Sequence, residues 1–293
     1  MYHEPVMLNE VLTFMRDHRH SKVLDGTLGL GGYSEAILKN FSDCRVLGLD
    51  RDKQAINFSR ERLKDFELEE RFSACQKNFG SLNEIPGINS FDVYVFDLGV
   101  SNMQITTPER GFSFQSDGPL DMRMNPDGNS LTAREVLEQS DEKTLAEIFW
   151  RYGEERFSRQ IASAVKKNKK PLETTGDLVN LIRASLPQPV QRKMGTHPAR
   201  RIFQALRIYV NDETQELENL LDVLKNFTHE ALIIFVAYHS LEDRLIKRAF
   251  REWYSSGLGQ VLTRHPMTPS ENEIENNYRA RSAKLRAFLT IRD

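Results

Sequence analysis

Cysteine is nearly missing: the 293 residues hold two, Cys44 and Cys75. That is too few for a disulfide framework or a cysteine-ligated zinc site. A reducing compartment, the cytoplasm, is the expected setting, and no metal centre is expected. No apolar run approaches the roughly 18 residues a membrane helix needs, so no membrane partner is expected. Residues 1–10 lack the basic-then-apolar pattern of a secretory signal. Net charge is scarce too, −2 from 40 basic and 42 acidic side chains. Any nucleic-acid surface must then come from local clustering. There is no internal repeat and no low-complexity tract.

What is present reads as a globular chain, 39% hydrophobic and 28% charged. Its most informative stretch is residues 23–52, VLDGTLGLGGYSEAILKNFSDCRVLGLDRD. A short apolar strand ends at Asp25. Gly26, Gly29, Gly31 and Gly32 then allow a tight turn and close backbone approach to a ligand. An amphipathic helix over 34–41 and a second buried strand over 46–49 follow, the latter stopping at Asp50. This is one βαβ half of a nucleotide-binding sheet.

Two carboxylates narrow the nucleotide. Asp50 lies about 20 residues past the glycines, where an acid can accept hydrogen bonds from both ribose hydroxyls. Asp25 lies at the first strand tip beside the loop. It would repel a pyrophosphate and attract an ammonium or sulfonium. S-adenosylmethionine has both cations and a ribose. Ser34 also breaks the Gly-x-Gly-x-x-Gly spacing of dinucleotide sites, which disfavours a nicotinamide dehydrogenase. The bland alternative is a glycine-rich turn that binds nothing.

Further strands are expected over 72–75, 91–97 and 232–238, with a late antiparallel pair over 260–263 and 285–291. Helices are expected over 6–14, 54–63, 200–210, 216–224 and 241–253. Asp25, Asp50, Phe79 and Asp97 then all fall at strand carboxyl ends, where open α/β sheets bind ligands. Between strands four and five the rhythm breaks. A Gly/Pro/Asp-rich loop over 110–129 is followed by helices over 132–138, 142–152, 154–168 and 175–184. A loop that long is usually functional. The fold class is α/β: a class I methyltransferase, Rossmann-like with a seven-stranded mostly parallel sheet, carrying an inserted all-helical domain. Residues 1–105 and 206–293 form the cofactor domain and 106–205 the insertion. Within 151–205 twelve bases face four acids, a net of +8, as a phosphate backbone would select. Lys166, Lys167, Lys169 and Lys170 alone could be a solvated helix face. Arg279, Arg281, Lys284 and Arg286 form a second basic cluster.

Seven blocks in order carry a resemblance: HEPVML at 3–8, DGTLGLGG at 25–32, DLGVS at 97–101, RGFSF with DGPLDMRM at 110–124, HPARRIFQALRIYVN at 197–211, HSLEDR at 239–244 and RARSAKLR at 279–286. On these the chain resembles the bacterial S-adenosylmethionine-dependent 16S ribosomal RNA cytosine-N4 methyltransferases. The resemblance implies methylation of a cytidine N4 in 16S ribosomal RNA, with the small ribosomal subunit as partner. It implies cofactor contacts at Gly31, Gly32, Tyr33, Asp50, Phe79, Asp97 and Gln104, to which Asp25 is added from its position. Tyr33 stands where the family usually has His, Asn102 replaces a usual Ser, Tyr238 a usual Phe and Tyr278 a usual Pro. A homodimer is allowed but not set by sequence.

The acceptor of such a transfer is an exocyclic amine, whose delocalised lone pair needs nearby hydrogen-bond acceptors. Asp97 and Ser101 at the fourth strand tip, and His239 at the fifth, are the candidate catalytic residues. Asp97 suits the cofactor first and the amine second. The sober reading of His239 is an ordinary helix start capped by Ser240. Phe112, Phe114 and Tyr238 are candidates to stack on a splayed base or to fill core. A cytosine-C5 enzyme needs a cysteine at the fourth strand tip, and neither cysteine is there. Competing readings are an amine methyltransferase on DNA or a small molecule, disfavoured by the lack of Asp/Asn-Pro-Pro-Tyr, and an RNA-binding module with a dead cofactor site, disfavoured by Asp25, Asp50 and Asp97.

Overall fold

The computed structural model describes residues 5–128 and 130–291. Tyr2, His3 and Glu4 lie outside them, and with them the start of the block at 3–8. In chain order come α1 (Leu8–Arg16), β1 (Lys22–Asp25), α2 (Gly32–Asn40), β2 (Arg45–Asp50), α3 (Lys53–Arg62), α4 (Lys64–Leu68), β3 (Phe72–Gln76) and β4 (Val93–Asp97). Seven helices without strands follow: α5 (Asn102–Thr106), α6 (Ala133–Gln139), α7 (Glu142–Gly153), α8 (Ser158–Lys167), α9 (Thr175–Ser185), α10 (Gln188–Lys193) and α11 (Arg200–Val210). Then α12 (Glu213–Lys225), β5 (Leu232–Ala237), α13 (Ser240–Ser255), β6 (Gly259–Val261), α14 (Glu271–Asn276) and β7 (Lys284–Thr290) complete the chain. No helix among the described residues is long and apolar enough to cross a membrane.

The chain forms two compact units, Met1–Gly99 with Thr214–Asp293, and Val100–Glu213. The first holds one seven-stranded sheet of order β3-β2-β1-β4-β5-β7-β6. The five strands β1 to β5 pair in parallel, and β7 runs antiparallel to both β5 and β6. Alternation sorts the side chains by face. Val93, Val95, Ile234 and Val236 pack on one side, and Tyr94, Phe96, Ile233 and Phe235 on the other. Both faces are covered by helices, so β5 reads LIIFVA and every residue of it is buried.

The second unit is all helical. Leu145 and Phe149 of α7, Ile161 and Val165 of α8, Leu178 and Ile182 of α9, and Ile202, Phe203 and Leu206 of α11 share its core. That explains where the units divide. Sequence puts the insertion at 106–205, but α11 buries its apolar face in the helical core as far as Val210, so the unit runs on to Glu213. At its other end α5 extends the unit back to Val100. The expected helix over 154–168 begins only at Ser158, because Glu154 closes α7 in a left-handed conformation, φ 50°. The short helices α4, α5, α10 and α14 have no counterpart among the expected elements.

The loop over 110–129 is held from inside. Arg110, 7% exposed, donates through Nη2 to the carbonyls of Arg123 and Met124, each at 3.0 Å. Asn211, 1% exposed, accepts the Met124 N–H at 2.7 Å and donates to the Met122 carbonyl at 2.8 Å. Phe112 is buried in the helical core, not presented for stacking. Phe114 stacks on the His197 ring at 4.7 Å.

Candidate active site at the strand tips

The glycine loop leaves β1 at Asp25 and enters α2 at Gly32. Gly31 is the N-cap of α2 with φ 76°, a left-handed backbone that side chains resist. At Gly26 a Cβ would come 2.2 Å from the Phe96 ring, so only glycine lets the loop cross the β4 side chain. Hydrogen bonds from neighbouring elements fix the loop. The Asp50 carboxylate accepts the Gly29 N–H at 2.8 Å, and the Ser59 hydroxyl donates to the Gly29 carbonyl at 2.8 Å. Arg62 donates to the Leu30 carbonyl at 2.9 Å.

Asp25 is 1% exposed. Its Oδ2 accepts the Ser34 hydroxyl at 2.7 Å and its Oδ1 the Thr27 N–H at 3.4 Å. The carboxylate thus staples the loop to α2 and reaches a ligand mainly through its field. Ser34, notable in sequence only for not being glycine, is the donor that makes this possible. Asp50 uses its other oxygen to accept the Asp52 N–H at 2.8 Å. Asp97 takes the Tyr238 hydroxyl on Oδ1 at 2.7 Å, while its backbone N–H donates to Thr27 Oγ1 at 2.6 Å.

None of Asp25, Asp50 and Asp97 is ion-paired among the described residues. Burial pushes Asp25 up to about 6, with Asp50 adding like-charge repulsion. Burial likewise pushes Asp50 to about 6. It pushes Asp97 to about 7, Asp25 and Glu242 adding repulsion. Carboxylates gathered at strand tips outside any ion pair are electrostatically incomplete, although the Arg51 charge next to Asp50 offsets part of the cost of its burial. A ligand bearing an ammonium and a sulfonium would complete them, and its ribose would meet Asp50. The residues present therefore fit S-adenosylmethionine, which would sit against Asp50 and the glycine loop.

The other expected site residues divide by position. Phe79 follows β3 and opens a 3₁₀ turn, edge-on to Phe96 at 6.4 Å. The Tyr33 ring is 4% exposed, packed in the sheet core, with its hydroxyl donating to the Val6 carbonyl. Only its backbone, in the first turn of α2, lies along the loop. Ser101 and Gln104 belong to the helical unit and cap α5 reciprocally. Ser101 Oγ accepts the Gln104 N–H at 3.2 Å, and Gln104 Oε1 accepts the Ser101 N–H at 3.1 Å.

His239 is itself the N-cap of α13, and Ser240, expected to cap, is the first helical residue. Its Nδ1 accepts the Glu242 N–H at 3.4 Å. Its Nε2 lies 3.1 Å from Glu242 Oε1, out of line for a hydrogen bond. Glu242 Oε2 accepts the backbone N–H groups of Tyr238 at 2.9 Å and His239 at 3.3 Å. The imidazole and Glu242 together hold the backbone that aims Tyr238 at Asp97. Tyr238 is thus the Asp97 partner that sequence undervalued. Its signal was its place just past the end of β5, two residues beyond Val236, which pairs with Asp97.

A family model for MraW methylases matches residues 1–291 of the chain. The chain belongs to the MraW methylase family. It is 42% identical over 306 residues to the ribosomal RNA small subunit methyltransferase H of Carboxydothermus hydrogenoformans, covering 97% of this chain and 96% of the relative. It is 44% identical over 285 residues to the protein of that name from Picosynechococcus, covering 97% and 95%. A third so named, from Thermotoga neapolitana, is 40% identical over 299 residues, covering 100% and 97%. In this methylase the glycine loop, Asp50 and Phe79 lie on the β1, β2 and β3 side of Asp97, and Tyr238 and His239 lie on the β5 side.

Proposed function

We propose that this methylase transfers a methyl group from S-adenosylmethionine to the exocyclic N4 of a cytidine in 16S ribosomal RNA, acting on the small ribosomal subunit in the cytoplasm. The observation that carries it is the set of buried carboxylates Asp25, Asp50 and Asp97, gathered at adjacent strand tips and held in no ion pair among the described residues. The relatives' names supply the substrate class. When bound, S-adenosylmethionine supplies the electrophilic methyl. The protein's part is to position and desolvate.

In that reading Asp50 accepts the ribose hydroxyls, Gly32 and Tyr33 contribute backbone N–H groups, and Gly31, whose own N–H goes to the Leu28 carbonyl at 2.8 Å, lets the chain approach the ligand closely. Asp25 supplies the field that favours a cation, and Phe79 lines the adenine side. Asp97 has Oδ1 held by Tyr238, which leaves Oδ2 for the amine. It accepts an amine hydrogen bond, localises the nitrogen lone pair, and takes the proton released once the N–C bond has formed and the C–S bond has broken. Ser101 and Gln104 fix the start of α5 by their reciprocal cap, and the family resemblance makes Gln104 a further cofactor contact. His239 acts through Tyr238. The acceptor base enters splayed from its stack, and the basic helical insertion is the RNA-recognition unit.

The test is transfer of labelled methyl from S-adenosylmethionine to small subunits from cells lacking this enzyme, followed by nucleoside digestion. Label in N4-methylcytidine is expected. Label on cytosine C5 or on a ribose oxygen would overturn the N4 assignment.

A further inference from the structure

The second basic cluster seen in sequence splits in two once folded. Lys284 Nζ and Arg286 Nε both bind Asp243, at 3.0 and 2.7 Å, and clamp the start of α13 to β7. Both cations are thus engaged by one carboxylate within the sheet unit. Arg279 and Arg281 sit on the 3₁₀ turn Tyr278–Ser282 that leads into β7. Arg281 is exposed and lies 5.8 Å from the Tyr278 ring, which is 70% exposed. Arg279 is half-buried, and its side chain makes no hydrogen bond or ion pair among the described residues.

Topology puts this turn at the reactive rim. Because β7 is antiparallel, its start lies at the carboxyl end of β5: Lys284 pairs with Ala237, and Val236 in turn pairs with Asp97. Tyr238 follows directly, and its phenol is within electrostatic reach of the Arg279 guanidinium. The turn is pinned from below. Ala280 and Ala283 are buried in the sheet core, and Asn277 caps the turn by accepting the Arg279 N–H at 3.3 Å. A partly desolvated guanidinium on a fixed turn, with no acceptor among the described residues, is costly unless a ligand anion completes it.

The sheet order says which anion. The glycine loop, Asp50 and Phe79 lie on the β1–β3 side of β4, whereas Arg279 lies beyond β5 on the opposite side. A polyanionic strand approaching Asp97 from that side meets a carboxylate and needs a cation beside it. We propose that Arg279 binds a backbone phosphate next to the nucleotide being methylated, holding the acceptor amine on the β5 side of Asp97. This rests on the proposed action on ribosomal RNA. The planar guanidinium can take two phosphate oxygens at once, which an ammonium cannot.

Arg279→Ala, Arg279→Lys and the full-length wild-type protein are compared, using unmodified small subunits and S-adenosylmethionine. For Arg279→Ala the KM for subunits is expected to rise about tenfold or more. The slope of log affinity against log salt should become shallower by about 0.7, the loss of one single-strand phosphate contact. The calorimetric Kd for S-adenosylmethionine should stay within about twofold. Arg279→Lys should recover part of the KM but not all of it, and it keeps the test open if the alanine variant folds poorly. A weakened cofactor Kd with an unchanged subunit KM would place Arg279 on the cofactor carboxylate and overturn the proposal. Unchanged KM and salt slope in a protein that still methylates subunits would overturn it while leaving the proposed function intact. A wild-type protein that neither binds nor methylates subunits would remove both.

Discussion

The Tyr238 hydroxyl donates to Asp97 Oδ1 at 2.7 Å, joining residues 141 positions apart across the tips of β5 and β4. The bond orients the carboxylate and stabilises its ionised form, against a burial that pushes it up to about 7. Tyr238 in turn is held by its backbone N–H to Glu242, so the start of α13 governs the geometry at Asp97.

Tyr238→Phe removes the hydroxyl and leaves the ring. Asp97 then loses the hydrogen bond that lowers its affinity for a proton, so the acid limb of the pH–rate profile should move to higher pH. The turnover rate near pH 7 should fall by less than about tenfold, the effect of raising the Asp97 pKa by about one unit, since Phe is the residue usual at this place in the family. The S-adenosylmethionine Kd should change little. A profile superimposable on the wild type would remove Tyr238 from the reaction.

The carboxylates predict a pH signature with a definite sign. Asp25 and Asp50 are pushed to about 6 and Asp97 to about 7, against an ordinary value of 3.8. Between roughly pH 4 and 7 the folded protein therefore binds more protons at these sites than the unfolded chain, so their contribution lowers stability as pH rises through that window. Asp243 and Asp121, held below the usual range mainly by Arg286 and Arg123 against the cost of burial, act in the opposite sense only at more acid pH. His197, pushed down by burial and Arg183, also opposes the trend. The clean readout is consequently the ligand-bound minus ligand-free difference. Stabilisation by S-adenosylmethionine should grow from pH 5.5 to 7.5. Calorimetry near pH 6 should show proton release through a buffer-dependent enthalpy, and a buffer-independent enthalpy would exclude titration of these groups on binding.

Ser34→Ala should destabilise the protein more than a typical small polar-to-alanine change. It removes the 2.7 Å donor from a carboxylate that is 1% exposed. Leaving such a group under-satisfied costs about 1–3 kcal/mol. The cost should shrink when Asp25→Asn is combined with Ser34→Ala. Additive losses in that cycle, measured by denaturant unfolding, would mean the two side chains do not depend on each other.

The lysine run should separate into two roles. Lys166 Nζ donates to the carbonyls of Leu137 at 3.2 Å and Glu138 at 3.0 Å, closing the last turn of α6. Lys167, Lys169 and Lys170 are exposed. Glu at 167, 169 and 170 together should weaken binding to small subunits and flatten its salt dependence with little effect on the thermal midpoint. Lys166→Ala should instead lower the midpoint, by about 4 °C per kcal/mol lost in a unit the size of the helical one. An unchanged salt slope in the triple variant would make that run a solvated face.

Much of the sheet was readable because its signals are local. The apolar runs ending on Asp25, Asp50 and Asp97, the glycines between the first two, and the all-buried β5 each sit within a few residues, where period and punctuation decide structure. The helical insertion showed itself in the same way, by the loss of strand rhythm after Asp97. Its borders did not. They depend on whether α11 buries Ile202 and Leu206 against the helical core, and nothing in a short window reports that.

Fold class, glycine loop and charge asymmetry are thus legible along the chain, because each is written in spacing or composition. What the polar groups do was set by folding. It turned Asp25 into a staple held by Ser34, made His239 a helix cap, gave Lys284 and Arg286 to Asp243, and set Arg279 near Tyr238 with no hydrogen-bond or ion-pair partner among the described residues. The physical reason is range. A hydrogen bond or ion pair forms between whatever atoms the fold brings within about 3 Å, and at the strand tips those atoms come from segments far apart in the chain.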